Sequence, residues 1–182
     1  YEEPVTRGIT RYRFERLDPK GWVRGNVLIV DLSDSNIRTD LLQNGSLSSK
    51  KTLSSMVKDS GALAGVNGDF FDIGKTNVPQ GVVIDNNELI KSSHNYNQAI
   101  GIADNGLGFI ARILFNGSLR NVSRNAEPVQ LHGINEIKPQ PDQTILYNSL
   151  WGQASRASLI SNGVNFTEVV IKDNTVTEIL DN

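Results

Sequence analysis

The sequence predicts an α+β fold, a mixed and mainly antiparallel sheet with few short helices. Three observations lead there. Apolar and polar residues alternate in several short segments, turns built on Asn, Asp and Gly recur between them, and one stretch repeats apolar residues at three- and four-residue spacing.

In chain order, Tyr12 and Phe14 alternate with Arg11, Arg13 and Glu15, as in a strand with one face on a core. Val27 to Val30 is an unbroken apolar run, short enough for a strand buried on both faces, and Ile37, Thr39 and Leu41 alternate again with Arg38 and Asp40. The helical stretch covers residues 52 to 60: Leu53, Met56 and Val57 share a face, Thr52 or Ser54 caps the start, and Gly61 takes the left-handed end. Ala62 to Val66 reads as a small-residue strand running into Asn67-Gly68-Asp69. Three hairpins follow, with turns at Asp85-Asn86-Asn87-Glu88, Asp104-Asn105-Gly106 and Asp173-Asn174, where Asn tolerates positive φ. Between the last two, residues 125 to 142 hold three prolines and Gly133 and read as an irregular insertion.

Composition narrows the function classes. A chain of 182 residues and 20.0 kDa suits one domain or two small ones and can bury roughly 70% of its unfolded surface. Eighteen basic and twenty acidic residues leave a net charge of −2 with no basic run, so nucleic acid is not an expected partner. No apolar stretch approaches membrane-spanning length, so no membrane span is expected. Cysteine is absent, which removes disulfides, thiolate metal sites and a Cys nucleophile, and two histidines, His94 and His132, cannot make a three-His zinc site. The first residue is Tyr1 rather than Met, as expected of a processed or excised chain in which a secretion signal would not be visible.

The densest chemistry lies in Gly65-Val66-Asn67-Gly68-Asp69-Phe70-Phe71-Asp72, followed by Pro79-Gln80-Gly81. Gly68 lets the backbone approach a ligand, Asn67 offers an amide donor and acceptor, and Asp69 and Asp72 offer carboxylates. Phe70 and Phe71 face opposite sides, so one is expected in the core while the other walls a cleft. A plain Asx turn with solvated carboxylates is the alternative. Gly68 to Thr76 falls one residue out of register for a phosphate-binding loop, and Pro79 follows where a helix should begin. The alternate-residue spacing and closing Glu of a calcium loop are also missing. His94 and His132 read as loop residues, and Arg156 either grips a phosphate or stacks on Trp151.

The run Ala62 to Asp72, with Pro79-Gln80-Gly81-Val82-Val83-Ile84, resembles the signature of the phosphodiester glycosidase family, which includes the lysosomal enzyme that removes N-acetylglucosamine from a phosphodiester to uncover mannose 6-phosphate. Thr52 to Met56, Ala99 to Ile102 with Asp104-Asn105-Gly106, Trp151-Gly152, Thr167 to Val170 and Asp173-Asn174 resemble flanking elements, so the likeness covers most of residues 5 to 180. It implies hydrolysis of a sugar 1-phosphodiester of surface or extracellular glycans by a secreted or cell-surface bacterial protein. Asn67 and Asp69 would be the catalytic pair, Gly68, Gly81 and Arg156 would bind substrate, and Asp72 is the candidate for a divalent cation, no other cofactor being implied.

One departure is large. The family's later Arg-Thr-Ala and Asp-Gly-Gly-Gly-Ser segments do not occur, and Ser155-Arg156-Ala157-Ser158 is a poor substitute. Residues 1–182 are therefore expected to be the N-terminal portion of such a domain, inactive alone, with the C-terminal half of the same protein as partner. The alternative is a non-catalytic carbohydrate-binding, cell-wall-binding or structural surface domain.

Overall fold

A computed structural model of the chain describes residues 1–103, 105–159 and 165–181. It is β-rich. Strands pair mostly antiparallel in sheets of two or three, and the described residues include one α-helix of eight residues. The antiparallel part of the expected α+β class is met; the helical part is minor.

The chain opens as a meander of β1 (Glu2–Thr6), β2 (Ile9–Asp18) and β3 (Gly21–Val30). Asp18 pairs with Gly21 across a two-residue turn, and the Asp18 carboxylate accepts from the Lys20 N–H at 2.8 Å. The run Val27 to Val30 lies in β3, which among the described residues pairs with β2, but it is not doubly buried: Val27 and Ile29 are exposed. Residues 37–41 form no strand, and their alternation is not matched by a partner to hydrogen-bond.

The helix α1 (Leu53–Ser60) falls where the spacing puts it. Thr52 is extended and its hydroxyl accepts from the Ser55 N–H at 3.3 Å. Gly61, at φ 72°, donates to Lys58 O, and Ala62 donates to Val57 O, which closes the last turn as a Schellman motif. After it, residues 62–66 form no strand and pair with none among the described residues, contrary to the expected small-residue strand. What places them is the helix: Leu53 and Val57 lie over Gly65, where a Cβ would come within 2.7 Å of Val57 Cγ2.

Next come the hairpins β4 (Val83–Asp85) with β5 (Glu88–Lys91) and β6 (Gln98–Ile102) with β7 (Gly108–Arg112). Asn86 and Asn87 both take positive φ, the conformation a tight twisted hairpin requires. Asp104, assigned to the second turn, lies outside the described residues. The stretch 125–142 is irregular only in part. It contains β9 (Val129–Leu131), which pairs with β8 (Gly117–Leu119), and β10 (Gly133–Ile134), which pairs in parallel with β11 (Ile145–Leu146). The final hairpin joins β12 (Thr167–Lys172) to β13 (Thr175–Asp181), with Asp173 and Asn174 at positive φ.

The core is small and lies in the middle of the sequence. Leu47, Val78, Ile90, Ile137 and Trp151 form one buried cluster, with Val83, Tyr147, Leu150, Ala154 and Leu159 packed against it. The Trp151 indole donates to Ala154 O at 2.7 Å, and Tyr147 meets its ring edge-on at 5.0 Å. Elsewhere large apolar side chains remain in water, among them Ile100, Ile110, Phe109, Ile179 and Trp22. The chain exposes 13935 Å², whereas a folded monomer of its mass exposes about 8,700 Å².

Candidate functional site

The two halves of the densest segment meet through backbone hydrogen bonds. Phe71 bridges Pro79, Gln80 donates to Phe70 O at 2.8 Å, and Asp72 donates to Val78 O at 2.9 Å. These bonds close residues 70–80 into a loop anchored by Val78, which is fully buried in the core, and by the buried Thr76. Asp72 works inside that loop. Its Oδ2 accepts from the Thr76 hydroxyl at 2.8 Å and the Thr76 N–H at 3.2 Å, so this oxygen caps a turn. Among the described residues no three His, Asp or Glu side chains gather as a metal-binding group.

Closing the loop brings Gly81 to Asp69. The Gly81 N–H donates to Asp69 Oδ2 at 2.5 Å, and the Phe70 N–H donates to Oδ1 at 2.7 Å. A Cβ at Gly81 would lie 2.8 Å from Asp69 Oδ2, so a larger residue there would displace the carboxylate from its donor. Gly81, expected to bind substrate, holds Asp69 through its N–H. Asn67 and Gly68 are exposed beside it, and the space around Gly68 is open. Neither phenylalanine is buried, contrary to expectation: Phe70 is 82% and Phe71 41% exposed, and the described core does not extend beneath this turn.

Arg156 is elsewhere and occupied. It donates to Glu168 at 2.5 Å and sits over the Tyr147 ring at 5.5 Å, so its guanidinium ties β12 to the Trp151 region. His132 accepts from the Thr144 N–H at 3.1 Å and serves the β10–β11 junction. His94 is exposed, 3.5 Å from Gln143.

Sequence reasoning missed the polar residues behind Asp69. Lys91, at the end of β5, is fully buried, and its ammonium donates to the carbonyls of Ser92 at 2.9 Å, Gly81 at 3.0 Å and Gln80 at 3.2 Å. Three acceptors satisfy its three donors. Burial lowers its pKa to about 8, against the opposing pull of the Glu136 and Asp69 charges. Glu136 is buried as well, and burial raises its pKa, opposed by the Ser92 hydroxyl that donates to it at 2.8 Å and by the charges of Lys91 and His94. Asn135, with no exposed surface, donates to Ile90 O at 2.8 Å and Asn148 Oδ1 at 2.9 Å, and accepts from the Asn148 N–H. It clamps β5 to β10 and β11. Asn135 and Glu136 lie between Ile134 and Ile137, and these two flanking isoleucines were the available signal.

The buried ammonium has a measurable consequence. Its pKa is lower in the folded chain than the 10.5 of a free lysine, so between about pH 8 and 10.5 the unfolded chain binds more protons and stability rises with pH. Over that whole window the contribution is roughly 3 kcal/mol at most. Denaturant unfolding at pH 7.5 and pH 10 is expected to show this rise in the wild type relative to Lys91→Met; equal pH dependence in the two would contradict the buried charge.

No family model matches the chain, and no curated protein matches it. A solved structure does: a hypothetical protein from Synechocystis superposes with a TM-score of 0.73 over 97% of this chain at 17% identity. The likeness is one of fold. The chain spans about a third of that protein, covering 32% of its length. The arrangement of strands described here therefore also occurs within a longer polypeptide.

Proposed function

We propose that the protein is a phosphodiester glycosidase-like hydrolase acting on sugar 1-phosphodiesters of bacterial surface or extracellular glycans, with Asp69 and Asn67 at its reacting centre. The observation that carries this reading is the Asp69 carboxylate, exposed at the surface yet fixed by two backbone N–H groups, one of them on Gly81, whose carbonyl together with that of Gln80 holds the buried Lys91 ammonium. A carboxylate held on both oxygens is pre-oriented, and each oxygen keeps a second lone pair for a proton or a donor.

In the reaction, the oxygen of water bonds to the anomeric carbon, and the bond from that carbon to the phosphate oxygen breaks. The electron pair leaves on phosphate, giving a phosphomonoester and free sugar. Asp69 takes the proton from water, and Asn67 orients the sugar or phosphate by its amide. Phosphate leaves as a stable anion, so a strong general acid is dispensable.

The described residues offer no second carboxylate facing Asp69 across a cleft, and their apolar surface is far from covered. Both features fit a site completed by the C-terminal half of the same protein, which would cover the exposed strands and supply the second acidic group. Turnover of a defined sugar 1-phosphodiester by the full-length protein tests the reading. The capture of both Asp69 oxygens by backbone favours a second reading, a glycan-binding domain without turnover, which predicts saturable binding and no released sugar.

A further inference from the structure

We propose that Lys91 is a positioning residue for Asp69, acting through the Gln80–Gly81 peptide group that lies between them. The chain of contacts is continuous. The Lys91 ammonium donates to Gln80 O at 3.2 Å, and the N–H of that same peptide, on Gly81, donates to Asp69 Oδ2 at 2.5 Å. A cation on the carbonyl draws electron density toward oxygen and makes the N–H a stronger donor, the cooperative effect expected of linked hydrogen bonds in a low-dielectric interior. The further bonds to Gly81 O and Ser92 O fix the ammonium so that it cannot swing away.

The charges facing Lys91 are Asp69 from the exposed turn and Glu136 from the segment after β10, the latter also under the influence of His94. No carboxylate is within ion-pair distance of the ammonium among the described residues. The buried charge therefore spends itself on backbone carbonyls, one of them the peptide that grips Asp69.

The catalytic consequence rests on the role of Asp69 proposed above, but the linkage is tested without activity. In full-length protein labelled with 15N-glycine, the Gly81 amide proton is followed from pH 6 to 10. Expected is a strongly downfield signal that moves upfield with a midpoint near pH 8 as Lys91 loses its proton. Lys91→Met should remove this step, and Glu136→Gln, which takes away a charge that favours the ammonium, should lower the midpoint. A Gly81 signal with no step near pH 8 in the wild type, or an unchanged midpoint in Glu136→Gln, would overturn the proposal. If Lys91→Met fails to fold, those two measurements decide alone. Where the protein turns over a sugar 1-phosphodiester, Lys91→Met should lower kcat about tenfold with KM little changed. Absence of turnover in the wild type would count against the glycosidase reading and leave the Gly81 result to judge the linkage.

Discussion

Asp69→Asn in the full-length protein is expected to cut hydrolysis of a sugar 1-phosphodiester at least about a hundredfold, the scale of a lost acid–base group. The substitution is nearly isosteric, and its retained side-chain oxygen can still accept from one of the two backbone donors, Gly81 or Phe70. Folding should survive, because Asp69 is exposed and contributes nothing to the Leu47–Val78–Ile90–Ile137–Trp151 cluster. What the amide cannot do is accept the proton of the attacking water. The assay is steady-state release of free sugar beside a denaturation curve; unchanged turnover with an unchanged curve would remove Asp69 from the mechanism.

The second large effect concerns the chain taken alone. Residues 1–182 are expected to give no turnover of the same diester and to associate with themselves or bind a hydrophobic dye. The surface of 13935 Å² exceeds that of a folded 20 kDa monomer by more than half. Edge strands such as β3 and the exposed Ile100, Phe109 and Ile110 invite a cover. Adding the downstream part of the protein in trans, or expressing the whole chain, should restore activity and abolish dye binding. Robust turnover by monomeric residues 1–182 would show the catalytic set to be complete within them.

Local structure was legible wherever local chemistry decides it. The helix with its Thr52 and Gly61 caps, and the Asn86–Asn87 and Asp173–Asn174 turns, follow from hydrogen bonds and φ preferences within a few residues. Burial was not legible. Val27 and Ile29 look like core and stand in water, while the polar Lys91, Asn135 and Glu136 are buried, because both outcomes depend on partners distant in sequence. The candidate site divides the same way. Asp69 and Gly81 stand out by motif, but that Gly81 anchors Asp69 follows only from the closure of the 70–80 loop, a closure in which Asp72 takes part through Thr76. Arg156, read in the sequence as gripping a phosphate or stacking on Trp151, is held by Glu168, twelve residues on, and sits over Tyr147.

The most direct measurement is product analysis of the full-length protein acting on a sugar 1-phosphodiester in water enriched in 18O. The account predicts free sugar and a phosphomonoester, with the label in the anomeric hydroxyl of the sugar and none in the phosphate, and loss of both products in Asp69→Asn. Saturable binding of the diester with no products released, or label appearing in the phosphate, would contradict hydrolysis at the anomeric carbon.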